Sequence, residues 1–213
     1  MKHIALISIA SFTLASLHAQ AEVAAVKAFS APGIIKVEYP ANFVVASGAA
    51  NQAAVDYAKR LLDKANLTPD LSFDQMAVLL TAYTQDQGEY AHLNVTITPP
   101  EVSQEDFAAS GADVIKQLTD AMGEQIKAGF SKSGIELVGG FNGKKEDLAG
   151  GIKCFTLDFS YKKSDGSTRL DTKRYIYTKR HTIVIGITTS PGYAKTNSED
   201  LDKIVSSIHA TDN

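Results

Sequence analysis

Tryptophan is absent from this 213-residue sequence, and cysteine occurs once, as Cys154. A lone cysteine makes no internal disulfide, so the core has to hold the fold unaided. Histidine is scarce as well. Past residue 21 only His92, His181 and His209 remain, without the short intervals of a zinc motif. Glycine-rich phosphate loops, G-x-S-x-G and H-E-x-x-H are all missing. Ser160-Tyr161-Lys162-Lys163 matches S-x-x-K, but that motif needs a helical turn to bring serine and lysine together, and here it lies in a strand pattern. No apolar run after residue 21 is long enough to span a bilayer, so no transmembrane anchor is expected.

Charge of either sign is modest: 21 Lys or Arg against 24 Asp or Glu. That balance excludes the large basic surplus usual for nucleic-acid binding. It is uneven along the chain, however. Between Lys144 and His181 ten basic side chains face five acidic ones. Two explanations fit: a surface for an acidic partner, or cations that discourage edge-to-edge strand pairing.

What is present begins with an export signal. Lys2 precedes an apolar stretch from Ile4 to Leu17, and Ala19-Gln20-Ala21 fits the small-x-small cleavage rule. Residues 1–21 are expected to be a signal peptide, which makes the protein periplasmic or secreted, and without a cleavage-site cysteine no lipid anchor follows. Residues 22–32, rich in alanine, are expected to be flexible. Residues 33–210 read as a single domain, with no internal repeat or low-complexity linker.

The domain is organised around its C-terminal third. Phe155, Leu157, Phe159 and Tyr161 alternate with Thr156, Asp158 and Ser160, the period of a half-buried strand. Cys154 falls on the even-numbered, more polar face. Asp165-Gly166 turns the chain into a second strand over Thr168–Thr178. Thr182–Thr189 carries apolar groups on both faces, as a covered central strand would, with Val184 opposite Ile183 and Ile185. Short strands are expected at Ile34–Val37, Phe43–Val45, Val78–Thr84 and Tyr90–Thr98. An amphipathic helix is expected over Gln52–Asn66 and a long one after the N-cap Ser103. A closing helix should start after Pro191-Gly192, with Thr196 and Glu199 spaced as a capping box.

This order resembles the PsbP-like superfamily, which includes PsbP-related and DcrB-type bacterial envelope proteins. The carrying stretches are Val37-Glu38-Tyr39-Pro40, Leu93-Asn94-Val95-Thr96-Ile97 and the helix from Ser103. They continue with the meander ending in Thr182-Ile183-Val184-Ile185-Gly186-Ile187, then Ile204-Val205-Ser206-Ser207-Ile208. The resemblance implies an α+β fold, an α/β/α sandwich whose central, mainly antiparallel sheet has helices on both faces. It also implies an accessory or binding role without catalysis.

The function expected from all this is an exported, non-enzymatic accessory protein of the cell envelope that binds a protein partner or small ligand and needs no cofactor or metal. Two alternatives stay open: a small exported hydrolase whose site assembles only in the fold, and a weak metal-handling protein using His92 or His181 with acidic neighbours. Candidate partner-binding residues come from the strand after Gly166. Arg169, Lys173, Tyr175 and Tyr177 share its odd-numbered face, and Lys179 and Arg180 occupy the next turn. Arginine and tyrosine suit an interface with an acidic protein. The alternative, which carries more weight, is that the tyrosines pack under the long helix and leave the cations as solvated edge protection.

Overall fold

The computed structural model describes residues 26–46, 77–84, 89–100 and 102–211. The expected signal peptide and the helix over Gln52–Asn66 lie outside the described residues. The strands are β1 (Val26–Ala31), β2 (Ile35–Pro40), β3 (Val44–Val45), β4 (Ala77–Tyr83), β5 (Ala91–Thr98), β6 (Glu136–Leu137), β7 (Asn142–Asp147), β8 (Lys153–Lys162), β9 (Thr168–Tyr177), β10 (Thr182–Thr189) and β11 (His209–Ala210). The helices are α1 (Gln104–Ala109), α2 (Ala112–Ser131), α3 (Pro191–Thr196) and α4 (Ser198–Ser206). Among the described residues no helix is long and apolar enough to cross a membrane.

The fold is an α+β sandwich. Its large sheet runs β3-β4-β5-β10-β9-β8-β6, with β7 paired to β8 beside β6, and every pairing is antiparallel. The meander β8-β9-β10 forms because each strand keeps its period of two and the connections are tight. At the first of these turns Gly166 takes φ +83°, which a side chain would resist, and the Asp165 carboxylate accepts from Ser167 N at 2.8 Å.

Each face of this sheet carries its own core. On one side Ile183, Ile185 and Ile187 of β10 join Ile176, Leu93, Val95, Leu80 and Cys154 under α4 and a small sheet ordered β1-β2-β11. On the other side the odd-numbered residues of β8 meet α1 and α2. Phe107, Phe155, Leu157, Phe159 and Tyr177 are buried there, with Leu118, Met122, Ile126 and Phe130 of α2 packed against them. Helical spacing puts those α2 residues on one stripe, and that stripe covers the β8 side of the face.

Several expectations change. Residues 26–31, expected to be flexible, form a strand, because β2 offers a free edge and Phe29 and Ala31 reach the core. The long helix is two helices. Ser103 caps the first as expected, its hydroxyl accepting from Asp106 N at 3.0 Å, but Ser110 is extended and Gly111 opens the second. Lys145 Nζ donates to the carbonyls of Ala108 and Ser110, satisfying the end of α1 that the break exposes. Thr196 does not cap the last helix either. It ends α3, its hydroxyl donating to Gly192 O at 3.0 Å, and Asn197 is the N-cap of α4. Cys154 is fully buried, since the even face of β8 at that end lies over the main core. Val184 is only half-buried and belongs to neither cluster.

Candidate functional site

Strand register fixes which side chains meet on the helix-side face. Reading across the sheet, Phe159 lies beside Asp171, then Thr188, His92 and Tyr83. The next row is Leu157, Lys173, Gly186, Asn94 and Thr81. The face is thus aromatic over β8 and turns polar from β9 to β4. Gly186 makes room at its centre, because a Cβ there would lie 3.1 Å from Asn94 Oδ1 and 3.7 Å from Lys173 Nζ.

Asp171 is the hub of this polar region. It is 7% exposed, accepts from the Thr188 hydroxyl at 2.8 Å, and turns its other oxygen to Lys173 Nζ at 3.5 Å. The Arg169 guanidinium lies 4.6 Å over the Tyr90 ring, which in turn stacks on His92 with centroids 6.4 Å apart. These contacts set the protonation states. The Asp171 charge holds Lys173 above the usual lysine range. Burial, helped by Asp171, pushes Tyr161 up to about 12. Burial first and Lys173 second hold His92 below its ordinary value, against an opposing pull from Asp171. Lysine and tyrosine therefore keep their protons and histidine stays neutral.

One pH dependence follows. His92 binds its proton less readily folded than unfolded, so its contribution to stability is complete above 6.5. It is lost as pH falls through the lowered folded value. Thermal melts should show the midpoint dropping on acidification from 6.5 down to that folded value, and His92→Gln should flatten that part of the curve. A wild-type slope retained by the variant would assign the effect to another group.

The opposite face holds a second polar cluster at its β7 end. Glu146 lies 2.7 Å from Lys144 Nζ and 3.6 Å from Arg174 Nε, and accepts from the Thr156 hydroxyl at 2.7 Å. Burial works to raise its pKa, but these partners outweigh it and hold the carboxyl below the ordinary value. Asp158 completes the cluster, with Lys144 at 3.6 Å and the Thr172 hydroxyl at 2.7 Å.

Half of the ten cations in residues 144–181 are ion-paired within that segment. All five of its carboxylates face cations of the same segment: Glu146, Asp147, Asp158, Asp165 and Asp171 pair with Lys144, Lys153, Lys163, Lys173 and Arg174. Of the six sequence candidates, Arg169 is buried on Tyr90 and Lys173 is in its ion pair. Tyr177 is buried beneath Phe107, with centroids 4.8 Å apart. Tyr175 is half-buried beside Phe155. Lys179 and Arg180 are exposed together at the β9–β10 tip. Arg169 and that tip are separated by the length of β9, roughly 33 Å at about 3.3 Å per residue. The six residues do not form one patch.

The tip is rigidly closed. Thr178 N donates to His181 O at 2.9 Å, the Thr178 hydroxyl donates to the same carbonyl at 2.8 Å, and His181 N donates back to that hydroxyl at 3.1 Å. Sequence reasoning missed the roles of Thr178 and Asp171. The first had no signal, but Asp171 and Lys173 two apart on one strand face was a readable pair. Among the described residues no three His, Cys, Asp or Glu side chains come together as a metal-binding group.

Fold and surface together define an α+β sandwich with filled cores and a pair of exposed cations at a locked hairpin tip. Solved structures of similar shape exist. Cyanobacterial PsbP (CyanoP) from Synechocystis sp. PCC 6803 is 15% identical, with 90% of this chain and 95% of that one covered and a TM-score of 0.48. LpqN, involved in cell envelope biogenesis of Mycobacterium tuberculosis, is 12% identical over 88% of this chain and 91% of that one, with a TM-score of 0.41. The Saccharomyces cerevisiae Ran-binding protein Mog1p is also 12% identical, over 88% and 96%, again with a TM-score of 0.41. The first of these carries the PsbP name that the element order resembles. Likenesses at these values bear on no activity. No family model and no curated protein matches the sequence.

Proposed function

We propose that this chain is an exported accessory protein of the cell envelope that binds an acidic protein partner through the β9–β10 tip. The observation that carries the proposal is the tip itself: Lys179 and Arg180 are exposed side by side on a turn closed by three hydrogen bonds. A turn whose backbone is already closed loses little backbone freedom on docking, and its two cations steer an acidic surface towards it. Export rests on the N-terminal pattern ending at Ala21, with Glu22 as the mature N-terminus.

Lys179→Glu with Arg180→Glu is the direct test. The variant should keep the wild-type melting temperature, since both side chains are exposed. It should lose envelope proteins that the wild type captures by cross-linking at low salt, and wild-type capture should weaken as exposed charges are screened beyond about 8 Å at physiological ionic strength. Reversal at Lys173 is unsuitable, because a glutamate there would face the buried Asp171 and disturb the fold. Recovery of the same envelope proteins by the variant would show the tip to be a solvated turn only.

A further inference from the structure

Register in the small sheet fixes which backbone groups of β1 are spent. Pro40 has no N–H, so it and Val26 cannot form a hydrogen-bonded pair. Glu38, opposite Ala28, sends its N–H the other way, donating to Ser207 Oγ at 2.8 Å. Bonded and open pairs alternate along an antiparallel ladder. Val26, Ala28 and Ser30 therefore direct their N–H and C=O groups outward, away from β2. Among the described residues nothing pairs with that edge. Val26 is 52% exposed, and Ala28 and Ser30 are exposed with it.

The other described edges are guarded. Strands β3, β6 and β11 are two residues long, and β7 carries Lys144, Lys145, Glu146 and Asp147 in a row. Short length and charge both discourage pairing with another chain. β1 has six residues, no proline and one charge. That charge is turned back on the fold, since Lys27 Nζ donates to Phe43 O at 2.9 Å.

We infer that β1 pairs antiparallel with β1 of a second copy of this chain, about a two-fold axis through Ala28. In this register Val26 lies opposite Ser30 of the second copy, and Ala28 opposite Ala28. Every outward N–H and C=O of both strands then finds a partner, and a slip of two residues either way strands some of them. Lys27 falls beside Phe29 of the second copy and not beside its Lys27, so no like charges meet. A two-fold contact of this kind is self-complementary, as a closed dimer requires. An unstructured segment of another protein would meet the same groups only after losing the conformational entropy of each residue ordered. A second β1 is already a strand, held by β2. A contact confined to six-residue strands is small beside the about 1,200–2,000 Å² of stable interfaces, so the dimer forms only as concentration rises. None of these residues belongs to the β9–β10 tip, so docking there and pairing at β1 stand or fall separately.

Sedimentation velocity of the purified chain over a concentration series is the test. Wild type should pass from monomer to dimer. Ala28→Pro should stay monomeric across the series and keep the wild-type melting temperature, because the N–H it removes points out of the edge. Ala28→Lys and Ala28→Glu each set like charges across the axis, so either alone should stay monomeric. Their equimolar mixture should dimerise, and that dimer should weaken with salt. Should Ala28→Pro fail to fold, the two charge variants still decide.

A wild type that is monomeric throughout would overturn the inference. So would a dimer that Ala28→Pro leaves intact, or a mixture of the charge variants that stays monomeric. A monomeric wild type that captures another envelope protein only while residue 28 keeps its N–H would overturn it too, since the occupant would then be a different chain's strand.

Discussion

A Phe155→Ala chain is expected to unfold about 3–5 kcal/mol more easily than wild type. Phe155 is fully buried on the helix-side face, with the Tyr175 ring 5.9 Å away. Around it Phe107, Leu157, Phe159 and Tyr177 are all held by strands or by the short helix α1. Little of that surround can collapse into the space left, so the cavity cost adds to the lost transfer energy. Ile185→Ala, on the opposite core, should cost a comparable 2–5 kcal/mol or so. Val184→Asp should cost less than either. Its half-buried position between Tyr175 and Thr96 leaves a new carboxylate access to water, which lowers the penalty of burying a charge. Urea titration reads the order directly, as midpoint shifts at constant slope. A Val184→Asp chain less stable than Phe155→Ala would mean that the even-numbered face of β10 is dry.

Gly143→Ala should destabilise by about 1–3 kcal/mol, the range for forcing extra volume into a packed site. The reason is space. An added Cβ would run into the Thr119 hydroxyl of α2, and would lie 2.9 Å from Thr119 Cβ and 3.0 Å from Phe155 Cε2. That hydroxyl is held by its 2.7 Å bond to Ile115 O, so it does not swing aside freely. At Gly143 β7 packs directly against Thr119 of α2, and the alanine should push them apart. Thr119→Ala in the same chain should recover part of the loss. A double-mutant cycle measures the coupling, and simple additivity of the two costs would refute the clash.

Much of this architecture is legible one residue at a time. The alternation Phe155, Leu157, Phe159 predicts β8, and the same rule places Arg169, Lys173, Tyr175 and Tyr177 on one face of β9, where register confirms them. The cap at Ser103 follows from its own side chain and the backbone three residues on. Thr196 shows where such local rules stop. Its spacing to Glu199 is right for a capping box, but the preceding turn, started by Ser190 and Pro191, draws it into α3 and passes the cap to Asn197. The break at Ser110 has a similar origin. A second helix begins there because Lys145, 35 residues further on, satisfies the carbonyls that the break exposes.

The sequence by itself determined the period of β5, β8, β9 and β10 and the antiparallel meander, because backbone geometry and alternating polarity act over a few residues, while the class of fold came from the resemblance in element order. Only the tertiary structure decided which side chains were covered and which reached the surface. Cys154 lies on what reads as a polar face, and is buried because the small sheet β1-β2-β11 and α4 close over that face from the two ends of the described chain. Of ten cations between Lys144 and His181, composition does not tell which are committed. Arg174 meets Glu146 across two strands, and Arg169 meets Tyr90 from the far side of β10. Lys179 and Arg180 reach the surface as a pair because they occupy the two tip positions of a tight turn, where the backbone points both side chains outward. Pairing energies depend on distance in space, and the fold sets that distance.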